Sequence, residues 1–203
     1  VGVFESAGVN ALPIIVLLGF ILGLVMAFQA AVPMRRFAVE MFVADLVALS
    51  MMRELGPLIT AIMLAGRSGS AFAAELGTMR INEEVDALTT MGVEPVRFLV
   101  VPRVVAGFLV APLLNLFAIA FGLIGGSFVL MSMGYPAVAY YRRVFASVTL
   151  TDLVSGSVKV VVFGFLVSAI GCLRGLQTRQ EARHGQVADG VDAQGFERVY
   201  FLI

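Results

Sequence analysis

Tryptophan is absent from this 203-residue sequence, and cysteine, histidine and lysine occur once each, as Cys172, His184 and Lys159. A single cysteine excludes an intrachain disulfide, and one cysteine with one histidine excludes the usual zinc sites, so no metal is expected. The lone lysine stands between Val158 and Val160. A phosphate-binding loop of the form GxxxxGK[ST] is therefore missing, and ATP hydrolysis by that route is excluded. His184 lies in a polar tail, which rules out a Ser-His-Asp arrangement in the apolar part of the chain. Charge is scarce as well. Charged residues make up 14%, against about 25% in soluble domains, and the 14 basic side chains balance the 14 acidic ones. Without a basic field, no nucleic-acid partner is expected.

Hydrophobic residues make up 60% of the chain, and the charges are bunched. Residues 6–34 and 104–141 carry none. Each stretch exceeds the roughly 20 apolar residues that a helix needs to cross a bilayer core. The short alternating segments of a β-barrel do not appear. The expected fold is all-α, a polytopic helical membrane protein with spans at about 11–34, 57–79, 104–133 and 153–173. Valine stands first and no basic run precedes the first span, so a signal peptide is not expected and the chain is expected to begin inside a longer gene product.

Between the spans lie three mixed segments. In 35–53, Phe37, Met41, Ala44, Ala48 and Met52 recur at helical spacing, which predicts an interfacial helix. In 80–95, Asn82 is a candidate N-cap, Glu83 and Glu84 suit the positive end of a helix, Gly92 closes it and Pro95 stops it. Ile81, Val85, Leu88 and Met91 share one face of that short helix, with Glu83, Glu84 and Asp86 turned elsewhere. It serves either as a solvated connector or as a docking surface. The third segment, 135–152, offers Tyr135, Tyr140 and Tyr141 to a membrane interface. Within the second span, Gly66, Ser70 and Ala74 form one ladder of small residues and Gly69, Ala73 and Gly77 another, which predicts close packing against other helices.

The ionisable residues in apolar surroundings are Arg53, Glu54, Arg67, Glu75 and Lys159. Charges inside a membrane are costly and face a cavity or a partner. Each also has a plain reading. Lys159 is within snorkelling reach of the surface, Arg67 and Glu75 fit a structural network, and Arg53 and Glu54 fit a solvated end just ahead of the second span. Lysine and arginine do not orient the chain, because Arg80, Arg97 and Arg103 are matched by Arg35, Arg36 and Arg53. Met26, Ala30, Pro33, Met34 and Phe37 line one face at the end of the first span, suited either to acyl chains or to ordinary packing.

The run MRELGPLITAIMLAGRSGSAFAAELGTMRINEEVDALTTMGVEPVRFLVVPR, Met52 to Arg103, resembles the hallmark region of the MlaE (YrbE) family of ABC transporter permeases. Upstream, GFILGLVMAFQ is similar to the family's first span. Downstream, VAPLLNLFAIAFGLIGGSFV and SVKVVVFGF are similar to its third and fourth, so the likeness covers about Phe4 to Gln177. The resemblance implies a permease domain over 1–177 that is not itself an ATPase and carries no cofactor. It also implies a second copy of the chain, a cytoplasmic ABC ATPase that binds ATP and magnesium, and an MCE-type periplasmic lipid-binding protein. Such an assembly moves phospholipid or a related lipid between bacterial membranes, with this subunit in the inner membrane. Residues 80–95 then form a cytoplasmic coupling helix. Arg53, Glu54 and Lys159 match charged positions at the family's lipid cavity, and Met26, Pro33, Met34 and Phe37 match its apolar collar. The family has five spans where four are read here, and 178–203 departs from it as a polar, irregular or truncated tail. A membrane scaffold that only anchors soluble partners is the alternative, and it needs the short helix but no charged cavity. An ion-driven carrier predicts inverted repeats, which the sequence lacks.

Overall fold

A computed structural model describes the backbone of residues 11–200 and the side chains of residues 11–177. Among the described residues all regular structure is helical: α1 Leu12–Arg35, α2 Phe42–Ile81, α3 Glu84–Thr90, α4 Val96–Ser132, α5 Ala137–Ser147 and α6 Leu150–Tyr200. Helices α1, α2, α4 and the Leu150–Gln177 part of α6 are long and apolar enough to cross a membrane. The chain is an all-α, multi-pass membrane protein. The backbone of the expected tail continues α6 as far as Tyr200, and its side chains lie outside the described residues.

The second crossing differs from the sequence reading. Of the segment expected to lie on the membrane surface, 35–53, residues 42–53 supply the first turns of α2, and the span expected at 57–79 is the later part of the same 40-residue helix. The cause is a continuous buried stripe, Val43, Ala44, Val47, Ala48 and Met51, displaced by one residue from much of the face read through Met41, Ala44, Ala48 and Met52. A surface helix would leave that stripe in the headgroups. Buried against α1, α4 and α5, it stabilises by about 25 cal/mol per Å².

Small residues set the helix spacing. The buried stripe of α1 is Ile15, Gly19, Gly23, Ala27 and Ala31. A Cβ added at Gly19 would lie 2.6 Å from the Ala118 carbonyl, and one at Gly23 would fall on the carbonyl of Gly122. Close backbone approach of this kind holds helices together where lipid removes any hydrophobic advantage. Glycines of α6 do the same on both sides: Gly164 meets Ala111 and Gly107 of α4, and Gly171 and Gly175 meet Gly69 and Ala73 of α2. Of the two expected ladders, the one through Gly69 and Ala73 is packed in this way. The other is open, because a Cβ at Gly66 would meet nothing within 4 Å and Ser70 and Ala74 are exposed.

Helix ends are fixed by left-handed residues. After α3 the Gly92 N–H donates to the Thr89 carbonyl and the Val93 N–H to that of Leu88, with Gly92 at φ +76°. This pairing satisfies the Leu88 and Thr89 carbonyls in the last turn of the helix. Gly134 closes α4 in the same way. Asn82, expected to open α3, instead closes α2, and Glu83 at φ +63° makes the corner between them.

Helix α5 lies across the ends of α2 and α4. Its Tyr140, expected at a membrane interface, is fully buried, with its hydroxyl lacking any partner among the described residues. Tyr135 keeps its hydroxyl outside the core and donates to Glu40 at 3.3 Å. Desolvation, then the Glu40 charge, raises its pKa above the usual phenol value, so it remains a donor through the physiological range.

A Cβ at Gly126 would sit 2.7 Å from the Tyr140 hydroxyl and 3.0 Å from Val47. Gly126→Ala is therefore expected to cost about 1–3 kcal/mol through overpacking. Tyr140→Phe removes an unpaired hydroxyl and should recover most of that loss. Thermal unfolding of both single variants and the double variant in detergent checks this, and strictly additive effects would contradict it.

Candidate functional site

Proline at position 57 shapes the centre of α2. Having no N–H, it cannot donate to the Arg53 carbonyl four residues earlier. The helix widens just before it into a π turn, Met51–Leu55, in which the Gly56 N–H reaches back to the Met51 carbonyl. Such turns gather at functional sites. The same pairing recurs at Val96–Val100 ahead of Pro102. A further π segment, Leu64–Gly69, has no proline, and there the Ser70 hydroxyl donates to the Gly66 carbonyl at 2.6 Å.

The unpartnered carbonyl draws a charge to it. Lys159 of α6 donates from Nζ to the Arg53 carbonyl at 3.1 Å and pairs with Glu54 Oε1 at 2.5 Å. Arg53 points the other way, its Nε 3.0 Å from Asp152 Oδ1. The second oxygen of Asp152 accepts from the backbone N–H and hydroxyl of Thr149, at 3.0 and 2.6 Å, and so caps α6. Two ion pairs thus join α2 to the first three turns of α6. Close backbone contact at Gly156, where a Cβ would collide with the Met52 carbonyl, completes the joint.

Beside the joint lies a pocket of about 440 Å³ lined by Leu49, Ser50, Arg53, Glu54, Ser155 and Lys159. Its depth follows from the packing. The methyl end of Met51 rests over Gly122, and Gly122 lies against Gly23 in the middle of α1. The charged pocket is therefore near the middle of the membrane. Arg53 and Glu54, read as an end ahead of the second span, lie within α2, which starts at Phe42, and their side chains are 56% and 71% exposed. Lys159 is held by Glu54 rather than extended toward the surface.

The structure gathers Arg53, Glu54 and Lys159 in one pocket and leaves the apolar candidates outside its lining. Met26 and Met34 are half-buried against the core that includes Ala27 and Val43. Pro33 is exposed on the last turn of α1, and Phe37, 75% exposed, is in the turn after it. Glu75 pairs with Arg103 at 2.9 Å, and Arg103 also donates to the Leu99 carbonyl. Arg67 has no ion pair among the described residues. Sequence reasoning missed Asp152 and the serines of the pocket. The T-x-x-D spacing of Thr149 and Asp152 is a capping signal that locates Asp152 at a helix start, but nothing in it points to Arg53.

At the other end of α2, Val85 and Leu88 of α3 pack against the cluster of Phe72, Leu76 and Leu99. Arg80 binds Asp86 at 2.8 Å across the corner. Ile81 and Met91, read on one face with Val85 and Leu88, are 58% and 76% exposed. The left-handed corner at Glu83 turns α3 so that only Val85 and Leu88 reach the core. Glu83 and Glu84 remain exposed.

Fold and pocket together define a polytopic helical membrane protein with a polar, ion-paired pocket at mid-depth and a short helix docked across one end. The chain belongs to the permease MlaE family, whose family model matches residues 2–189. It is 38% identical over 177 residues to a probable ABC transporter permease protein of Rickettsia typhi, covering 87% of this chain and 68% of that one. It is 38% identical over 170 residues to the intermembrane phospholipid transport system permease protein MlaE of Haemophilus influenzae, covering 83% and 65%. It is 33% identical over 180 residues to the chloroplastic protein TRIGALACTOSYLDIACYLGLYCEROL 1 of Arabidopsis thaliana, covering 88% and 51%.

Losing Lys159 alone leaves both the Arg53 carbonyl and the Glu54 carboxylate without their partner, whereas removing both charges leaves only the carbonyl. Lys159→Met is expected to lower Tm in detergent by roughly 2–4 °C, the shift that about 1 kcal/mol produces in a chain of this size. The double variant Glu54→Gln with Lys159→Met should lie closer to the parent than the single variant does. A double variant less stable than Lys159→Met alone would contradict the pairing.

Proposed function

We propose that this chain is the membrane-spanning permease subunit of an ABC transporter that moves phospholipid, or a closely related lipid, between the inner and outer membranes of a bacterium. The observation that carries this reading is the pocket of Arg53, Glu54 and Lys159 at mid-depth. An intramembrane charge costs several kcal/mol unless it is paired, and a purely structural pair has no need of an open pocket beside it. A phospholipid brings a phosphate that suits Arg53 and Lys159, and acyl chains that suit the apolar helices around them. Membership of the family and the name of the Haemophilus relative support the same substrate class.

In this reading the headgroup phosphate competes with Glu54 for Lys159. When Glu54 regains the lysine, its own charge repels the phosphate and favours release. Work comes from a cytoplasmic ABC ATPase, which binds ATP and magnesium and engages α3. The acidic outer face at Glu83 and Glu84 suits a basic groove on that partner. Displacement of α3 is transmitted through the Arg80–Asp86 pair and the Phe72 and Leu76 contacts into α2, whose upper part carries the π turn. A second copy of the chain closes the pocket, and an MCE-type protein on the periplasmic side receives or delivers the lipid.

Glu54→Gln keeps the volume and removes the charge. In a reconstituted complex that still assembles and still hydrolyses ATP, it is expected to reduce lipid transfer between donor and acceptor vesicles by about tenfold, equivalent to about 1.4 kcal/mol. Parent-level transfer would sink the proposed role of the carboxylate. Glu84→Lys should weaken co-purification of the ATPase while membrane insertion is unchanged. Undiminished co-purification would remove α3 as the docking element. A scaffold would tolerate Glu54→Gln and fail with Glu84→Lys.

A further inference from the structure

A second cavity, of about 600 Å³, lies on the far side of the α2–α6 joint from the charged pocket. Its origin is geometric. Helices α4 and α6 touch closely at Gly107, Ser168, Gly164 and Ala111, and toward their other ends they separate, where α5 connects them. The resulting crevice has Leu123 and Ile124 of α4 on one wall, Leu153 of α6 on the other, Phe145 and Val148 beneath α5 as its roof, and Met52 at its back. Phe145 and Leu150 flank the mouth and are 80% and 82% exposed.

Depth decides what occupies this space. Leu123 and Ile124 follow Gly122, which lies at mid-depth against Gly23, so the crevice runs from the middle of the membrane to the end that carries α5. Hydrocarbon surrounds it there, and an apolar cavity does not fill with water. Its polar residues, Tyr141 and Thr149, belong to the connector at the outer end, where headgroups begin. The volume falls within the roughly 300–1,000 Å³ of ligand sites. We propose that the crevice is a binding site for one acyl chain of a bilayer lipid, entering laterally from the leaflet opposite α3, with its headgroup at the level of Tyr141 and Thr149. Met52, adjacent to Arg53, separates this site from the charged pocket. The inference rests on packing and depth, independently of the transport reading.

The test uses the full chain in nanodiscs of phosphatidylcholine, a fraction of which carries a photoactivatable diazirine on one acyl chain, at its methyl end in one preparation and near its carboxyl end in another, with adducts mapped by mass spectrometry. Leu123 and Leu153 are expected to be labelled at about five times the yield of Val25, a residue of α1 that faces lipid without a cavity. Ala120→Trp, which fills the crevice from the α4 side, should bring Leu153 down to the Val25 level. Leu153→Phe, a smaller change, should lower Leu123 labelling in the same direction. Equal labelling of Leu123, Leu153 and Val25 in the parent would overturn the proposal, as would yields unchanged by both filling variants. A photoreactive side chain at position 153 that captures protein instead of lipid would overturn it as well, by showing that a chain segment or a second copy occupies the crevice.

Discussion

One backbone carbonyl organises the centre of this protein. Pro57 has no N–H to offer, so the Arg53 carbonyl loses the helical donor four residues on. Lys159 supplies a donor from α6, and Glu54 provides its counter-charge within a membrane-crossing helix. Arg53, turned aside by the same widened turn, finds Asp152 at the start of α6. A polar, ion-paired pocket at mid-depth follows from one missing hydrogen-bond donor.

That arrangement holds only because the surrounding helices approach closely. The contacts of Gly23 with Gly122, Gly122 with Met51, Gly156 with Met52 and Gly171 with Gly69 tie α1, α4 and α6 to α2 at short range. They fix the charged pocket on one side of the α2–α6 joint and the apolar crevice on the other. Helix α2 runs past both and ends at the corner where Arg80 and Asp86 hold α3. A single rigid element therefore connects the surface suited to a soluble partner with the charged centre of the membrane.

Much of this was legible in the sequence. The charge-free stretches 6–34 and 104–141 gave two spans outright, because bilayer thickness sets a minimum length that little else requires. The unusual charges Arg53, Glu54 and Lys159 stood out because hydrocarbon penalises them. What could not be read is pairing across elements: Arg53 with Asp152, Glu75 with Arg103, and the fit of Gly156 on Met52 depend on helix rotation, which spacing does not fix. The start of α2 was misplaced for a related reason. Arg35, Arg36 and Glu40 resemble the flank of a surface helix, and only the burial of Val43, Val47 and Met51 by neighbouring helices shows that the crossing begins at Phe42. Which apolar residues of α3 reach the core could not be read either, because the left-handed residue at Glu83 sets the direction of the short helix in a way no periodicity reveals.

The central claim, an open polar pocket in the middle of the membrane, is tested most directly by cysteine accessibility at Ser50, which lines the pocket beside Arg53 and Glu54. With Cys172 replaced by alanine, Ser50→Cys in proteoliposomes should react with a small, membrane-impermeant thiol reagent. Val25→Cys, at similar depth but facing lipid, should stay unlabelled. Failure of Ser50→Cys to react, in protein whose fold is intact by circular dichroism, would show the pocket to be dry and closed and would contradict the account.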